Sequence, residues 1–365
     1  MRKRRILIPA VTVADWGGLH EWVAEATGWL VQAGHSVTVV GSGDRFSDAV
    51  LRAGADLIPV GDWKEWSQDL DFVVGAGQAQ PYDLIFAHGP QARALGMAAS
   101  LRLGSPLYVM VHGAYHDYAF EWAENAHRFI TASPSLADFM VGVAKIDRSM
   151  VRVVPNGLPR GVESLPLTSL ADKLSGGRAH VVTASRLDHD KVAQIPIAKE
   201  VMSTCAAVYP GVHWQLDVYG DGRLRAYFHR ELHQHVSGLT NASVKFHGWI
   251  PPEEVPSRMN ESVVGIVAGL GGMRSIAAGV LCVAVGARDM VGVQYGDNLA
   301  KGIYSNFGDH GTQGYAPTPI TSDLRRLLGD QSAYDSAVAA AREISVGLRS
   351  RDIVREKLLL ALDLH

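Results

Sequence analysis

Residues 5–40, RILIPAVTVADWGGLHEWVAEATGWLVQAGHSVTVV, hold two apolar strands with an amphipathic helix between them. Arg5 to Ala10 is a continuous apolar run, and Leu19, Trp22, Val23, Ala26 and Leu30 then fall on one face at helical spacing. Gly34 stops the helix, and Ser36 to Val40 is the second strand. The theme repeats at Asp56 to Val60, Leu84 to Ala87, Leu107 to Val111, Phe129 to Ala132 and Val151 to Val154. Uniformly apolar strands separated by helices predict a parallel sheet covered on both faces.

The pattern breaks at residues 155–169, PNGLPRGVESLPLTS, which are rich in Pro, Gly and Ser and read as a linker. A second alternating series follows, with strands Val181 to Ala184, Trp214 to Tyr219, Val244 to His247, Gly265 to Val267 and Leu281 to Val285. The last helices are expected at about 331–347 and 350–362. The expected architecture is α/β: two Rossmann-like domains, 1–160 and 161–345, facing each other across a cleft. Residues 346–365 form a C-terminal helix that packs back on the first domain. Ligands in such sheets sit at the C-terminal ends of the strands.

A chain of 365 residues is comfortable for two domains, and 47% hydrophobic with 19% charged residues excludes disorder, collagen-like repeats and coiled coil. With 34 Lys+Arg against 37 Asp+Glu the formal net charge is −3, so no nucleic-acid partner is expected. Two cysteines, Cys205 and Cys282, do not make a disulfide scaffold and fit a reducing cytoplasm. The basic start MRKRR precedes an apolar run that Pro9 interrupts and Asp15 ends, which reads as a buried first strand rather than a secretion signal. No stretch has the roughly 18 uncharged apolar residues of a membrane span, so membrane contact is at most peripheral.

Four segments carry chemistry. Asp15-Trp16-Gly17-Gly18-Leu19-His20 follows the first strand and opens the first helix, where glycines let a ligand approach and free N–H groups favour an anion. The dinucleotide pattern Gly-x-Gly-x-x-Gly is missing there, so NAD is not expected. Val111-His112-Gly113 places a histidine at a strand end. In Ser185-Arg186-Leu187-Asp188-His189-Asp190-Lys191, Arg186 and Lys191 stand five apart after the first strand of the second domain and can reach one diphosphate. Gly220 and Gly222, in Tyr219-Gly220-Asp221-Gly222-Arg223, permit close packing at a nucleotide edge. Each segment also has a plainer reading: a tight turn, a structurally satisfied histidine, a solvated charged loop.

Taken in order, these segments resemble the retaining GT-B glycosyltransferases. Gly17-Gly18 followed by Ala33-Gly34-His35-Ser36-Val37-Thr38-Val39-Val40 is similar to that family's "GG … GHxVxVV". Asp83-Leu84-Ile85-Phe86-Ala87-His88-Gly89 resembles "DxIxxH", and Ile130-Thr131-Ala132-Ser133 with Val153-Val154-Pro155-Asn156-Gly157 resembles "xxxSxx … VxPNG". Ser185-Arg186-Leu187 to Lys191 resembles "SRLxxxK", Gly220-Asp221-Gly222 resembles "GxG", and Phe246-His247-Gly248 to Glu253-Glu254-Val255 resembles "FxGxxxxxEV". One region departs. The family carries two glutamates before a Glu-Ala-Met-Ala-x-Gly helix; here Ala268 and Arg274 stand in their places, in a segment about two residues short. In the family the second glutamate holds the ribose hydroxyls. A guanidinium has donors only, so Arg274, with Ser275, is expected at a phosphate or carboxylate of the donor, beside the amides of Gly271 and Gly272.

The resemblance implies transfer of a sugar, with retention, from a nucleotide-sugar donor held by the second domain to a sugar, natural-product or lipid-linked acceptor on the first. Arg186 and Lys191 would neutralise the leaving diphosphate, Gly17 and Gly18 would add amide donors, and His112 would touch the reacting sugar. Neither a cofactor nor a metal is expected. A catalytically altered protein that binds a nucleotide sugar without ordinary transfer, or an epimerase of the same fold, is the alternative raised by the lost glutamates.

The remaining clusters have plainer expectations. His229, His233 and His235 read as surface histidines. Asp69 with Asp71, and Asp188 with Asp190, do not end apolar strands as a metal site would need. Residues 304–311, YSNFGDHG, follow a stretch poor in helical signal and read as a loop lining the cleft. Trp16, Trp22, Trp29, Trp63, Trp66 and Trp122 read as core or rim.

Overall fold

A computed structural model describes residues 2–10, 16–60 and 66–365; Asp15 and Trp63 lie outside the described residues. The chain forms two compact units, one of residues 1–156 with 352–365 and one of residues 157–351.

The first unit is built on β1 (Arg5–Pro9), β2 (Ser36–Gly41), β3 (Asp56–Pro59), β4 (Leu84–His88), β5 (Leu107–Val111), β6 (Arg128–Thr131) and β7 (Val151–Val153). Its order is β3-β2-β1-β4-β5-β6-β7, and every pairing is parallel. The central strands are buried along their whole length because helices cover both faces. Ile6, Ile8, Phe86 and Met110 face one core, and Leu7, Ile85, Val109 and Val111 face the other. Helix Gly18–Gln32 buries Trp22, Val23, Ala26 and Leu30 as its periodicity demands, and Trp29 as well; Leu19 is only partly covered. Helix Arg351–Ala361 adds Val354 and Leu358 to the first of these cores. A polar clamp finishes the packing: Tyr108 Oη donates to Asp363 Oδ2 at 2.8 Å, and Arg128 Nη1 donates to Asp363 Oδ1 at 2.8 Å and to the Ala361 carbonyl at 3.0 Å.

The second unit contains β8 (Arg178–Ala184), β9 (His213–Tyr219), β10 (Ala242–Gly248), β11 (Val264–Val267), β12 (Leu281–Val285) and β13 (Met290–Val293), in the order β10-β9-β8-β11-β12-β13. All pairings are parallel except β12 with β13. The sequence reading had no β13, a four-residue antiparallel edge too short for periodicity to reveal. Nor is the stretch before residue 306 poor in helix. Helix Gly296–Ser305 runs up to it, and its terminal Gly296 and Ser305, internal Gly302 and few apolar residues hide it. Helix Gln331–Arg349 closes the unit, its Tyr334 hydroxyl donating to the Val263 carbonyl at 2.6 Å. Among the described residues no helix is long and apolar enough to cross a membrane.

Candidate functional site

In the second unit the loops after β8 and β9 cross at the C-terminal edge of the sheet. Ser185 N donates to the Tyr219 carbonyl at 3.1 Å and Leu187 N to the Asp221 carbonyl at 2.9 Å, while Gly220 N donates to the Gly248 carbonyl at 2.7 Å. The two predicted glycines exist because of this crossing. A Cβ on Gly220, whose φ is +123°, would overlap the Ser185 carbonyl oxygen, and one on Gly222 would stand 2.5 Å from the Leu187 carbonyl oxygen.

The crossing aims two cations at one point. Arg186 Nη2 lies 3.2 Å from Asp190 Oδ2, and Lys191 Nζ lies 3.5 Å from that same oxygen. The Arg186 guanidinium is half exposed, whereas the Lys191 side chain is only 12% exposed, so the ammonium is presented by the protein rather than left to wander. Asp188 Oδ1 accepts from Arg223 N at 3.1 Å and so ties the two loops again. Both members of this aspartate pair are thus taken up by cations and backbone.

Helix Gly269–Ala277 starts immediately beyond Ala268, which gives no side-chain cap. Its first turn is all but bare of side chains because neighbours fill the space: a Cβ on Gly272 would stand 2.6 Å from the Phe307 ring, and one on Gly271 would stand 3.3 Å from Val267 and 3.4 Å from the Ala184 carbonyl. Two expectations are corrected here. Arg274 is in the last turn of this nine-residue helix, not at its start, so the positive end of the helix dipole does not act on it. Ser275 is fully buried, and its hydroxyl lies against Gly265 of β11, so it packs inside the unit and is closed to a ligand.

A carboxylate that the sequence reading missed stands beside Lys191. Asp309 Oδ1 lies 2.9 Å from Lys191 Nζ and accepts from Ala287 N at 3.0 Å. The signal was present as the polar, glycine-rich segment 304–311, but nothing in that string says which residue points inward.

In the first unit, β4 and β5 end on a pair of imidazoles, His88 Nδ1 lying 2.9 Å from His112 Nε2. The Trp22 ring borders both, with centroids 5.3 Å from His88 and 5.7 Å from His112. Burial, and then the neighbouring His112, hold the His88 pKa well below the ordinary imidazole value. A neutral His88 can donate or accept in this contact, so the tautomers of the two rings are coupled: when one nitrogen carries the proton, the other accepts it. His88 was visible only as the last residue of the DxIxxH-like strand. Burial also pushes the Tyr115 hydroxyl up to about 12. Gly17 caps helix Gly18–Gln32 with an extended φ of 179° and no side-chain cap. Among the described residues no atom lies within 4 Å of a Cβ placed on Gly17 or Gly18. Trp16 donates to Glu21 Oε1 at 3.2 Å and stacks on His20.

The other clusters find ordinary partners at the surface or in the core. His229 and His233 lie against Phe246, with ring centroids 5.0 and 6.2 Å away, and His235 pairs with Ser203 at 2.9 Å. Asp71 pairs with Arg102 at 2.7 Å. Trp22, Trp29 and Trp122 are buried.

Residues 16–160 match the family described as Glycosyltransferase Family 4. No curated protein matches the sequence. The fold, in contrast, has solved counterparts over its whole length. A glycosyltransferase from Rickettsia africae is 13% identical with a TM-score of 0.75, covering 100% of both chains. Alr3699/HepE from Anabaena, in complex with UDP and glucose, is 18% identical with a TM-score of 0.70, covering 99% of both. Sucrose-phosphate synthase from Thermosynechococcus elongatus is 16% identical with a TM-score of 0.65, covering 99% of this chain and 98% of that one. The protein therefore has the fold of the GT-B glycosyltransferases and carries a match to Glycosyltransferase Family 4 across most of its first unit.

Proposed function

We propose that the protein is a retaining, metal-independent glycosyltransferase that moves a sugar from a nucleotide-sugar donor to a small-molecule or glycan acceptor. The observation that carries this reading is the convergence of Arg186 and Lys191 on a single oxygen of Asp190 at the C-terminal edge of the second sheet. Two cations that can meet one carboxylate oxygen can meet one diphosphate, Arg with a planar fork and Lys with a point charge. They supply at that place the charge that a divalent ion would otherwise bring. The strand ends of the first unit, with His112 and the side-chain-free amides of Gly17 and Gly18, are assigned to the acceptor and the reacting sugar. The glycine pair supports this, because the protein's own described packing gives no reason for glycine at either position.

In the transfer, the bond from the anomeric carbon to the diphosphate oxygen breaks and its electron pair stays on the diphosphate. The acceptor oxygen forms the new bond on the same face, and its proton passes to a diphosphate oxygen. Arg186 and Lys191 stabilise the charge that builds on the leaving group. UDP is the first nucleotide to test, since Alr3699/HepE is crystallised with it.

Calorimetric titration with UDP, GDP, ADP and dTDP identifies the base. Arg186→Ala or Lys191→Ala is then expected to weaken binding by about 1.5–3 kcal/mol, the range for charge-assisted hydrogen bonds. Unchanged affinity in both variants refutes the assignment.

A further inference from the structure

We propose that Asp309 is a fixed internal counter-charge that loosens the hold of Lys191 on the spent nucleoside diphosphate, and so favours donor over product at this site. The inference rests on the donor-site reading above and deepens it.

The first observation is the charge balance. Lys191 meets two carboxylates, Asp309 at 2.9 Å and Asp190 at 3.5 Å, and Arg186 meets Asp190 at 3.2 Å and Asp188 at 4.0 Å. In these four contacts two cations meet three aspartates before any ligand arrives. A site tuned only for tight anion binding would not carry the third.

The second observation is that Asp309 is held in place. Asn306, Phe307 and Gly308 run through the left-handed region with φ of 51°, 55° and 89°, a conformation that two non-glycine residues adopt only under constraint. Phe307 is completely buried against Gly272, and the Arg349 guanidinium lies 5.5 Å from its ring centroid. The Gly308 carbonyl accepts from Arg288 N at 3.1 Å and Asp289 N at 3.0 Å, and a Cβ on Gly286 would overlap the Gly308 backbone. Ala287 N then fixes the carboxylate itself at 3.0 Å. These contacts tie the backbone around Asp309 and hold its carboxylate beside Lys191.

Chemistry makes this charge selective. A nucleotide sugar is a diphosphate diester with one charge on each phosphate. After transfer the terminal phosphate is a monoester that carries about one further negative charge near neutral pH. An anion on the far side of the ammonium lies roughly 5–6 Å from the Asp309 carboxylate. At an effective dielectric of about 20, one unit of repulsion over that distance is worth roughly a hundredfold in binding, which salt screening and the partial exposure of Asp309 cut to about tenfold. Product bears more of this penalty than donor.

The test is calorimetry of the full chain with UDP and with UDP-glucose. Asp309→Asn is expected to tighten UDP by about tenfold and UDP-glucose by less, so the ratio of the two affinities moves toward product. Asp309→Ser carries the same expectation should the asparagine amide disturb the loop, and melting without ligand checks both variants. An unchanged ratio, or weaker UDP binding by a variant that melts like the native protein, overturns the proposal. If Lys191→Ala weakens UDP binding while Asp309→Asn does not tighten it, this inference alone falls. If the native protein binds none of UDP, GDP, ADP or dTDP, the donor-site reading falls with it.

Discussion

Gly220→Ala is the sharpest probe of how the second unit builds its edge. The glycine has a φ of +123°, outside the range an L side chain tolerates, and an added Cβ would overlap the Ser185 carbonyl oxygen while lying 3.0 Å from its carbon. Neither neighbour is a flexible side-chain tip, so backbone must move. Holding a non-glycine residue in such a region costs about 1–3 kcal/mol. The shift also loosens the hydrogen bonds Ser185 N to Tyr219 O at 3.1 Å and Gly220 N to Gly248 O at 2.7 Å, each worth about 1 kcal/mol. The total is about 3–5 kcal/mol, which at about 2–4 °C per kcal/mol for a unit of this size lowers Tm by about 10 °C. Differential scanning calorimetry measures it. Because Arg186 follows Ser185 directly, nucleotide binding should weaken in the folded variant as well. A Tm within about 2 °C of native would show that the two loops do not cross as described, and the steric account of Gly220 and Gly222 would fail with it.

Gly17→Ala should do the opposite: with extended φ and no described neighbour within 4 Å it should stabilise by about 0.4–1 kcal/mol through the unfolded chain, yet lower transferase activity. Full activity in that variant would remove the glycine pair from the reacting centre. His88 sets an acid limit on the first unit. Its folded pKa lies well below 6.5, so the unfolded chain binds the extra proton, and stability falls as pH drops below about 6.5, by up to about 1.4 kcal/mol per pH unit. Urea midpoints at pH 7.5 and 5.5 check this, and His88→Leu should flatten the difference; equal slopes in the two proteins would argue against a neutral buried imidazole.

Strand and helix order was legible in the sequence because burial on both faces leaves a signature in composition alone. LYVMV at β5 and LCVAV at β12 admit no solvent face, and the intervening helices show theirs by spacing. The placement of Arg186, Lys191 and the loop of Gly220 and Gly222 just beyond strand ends was legible for a related reason, since an apolar run marks where each strand stops. Local sequence, however, does not record what lies opposite a residue. Nothing in GDG tells whether its glycines make room for a nucleotide or for the Ser185 and Leu187 carbonyls, and only the crossing of two loops decides. Register along one short helix sent Ser275 into the core and moved Arg274 out of the first turn, because the helix begins at Gly269. Asp309 reaches Lys191 over a separation of 118 residues, and His88 reaches His112 over 24. Such pairs depend on the order of strands in a sheet, and that order is a property of the packed chain: apolar runs determine that strands exist, while their neighbours are chosen by the core they bury together.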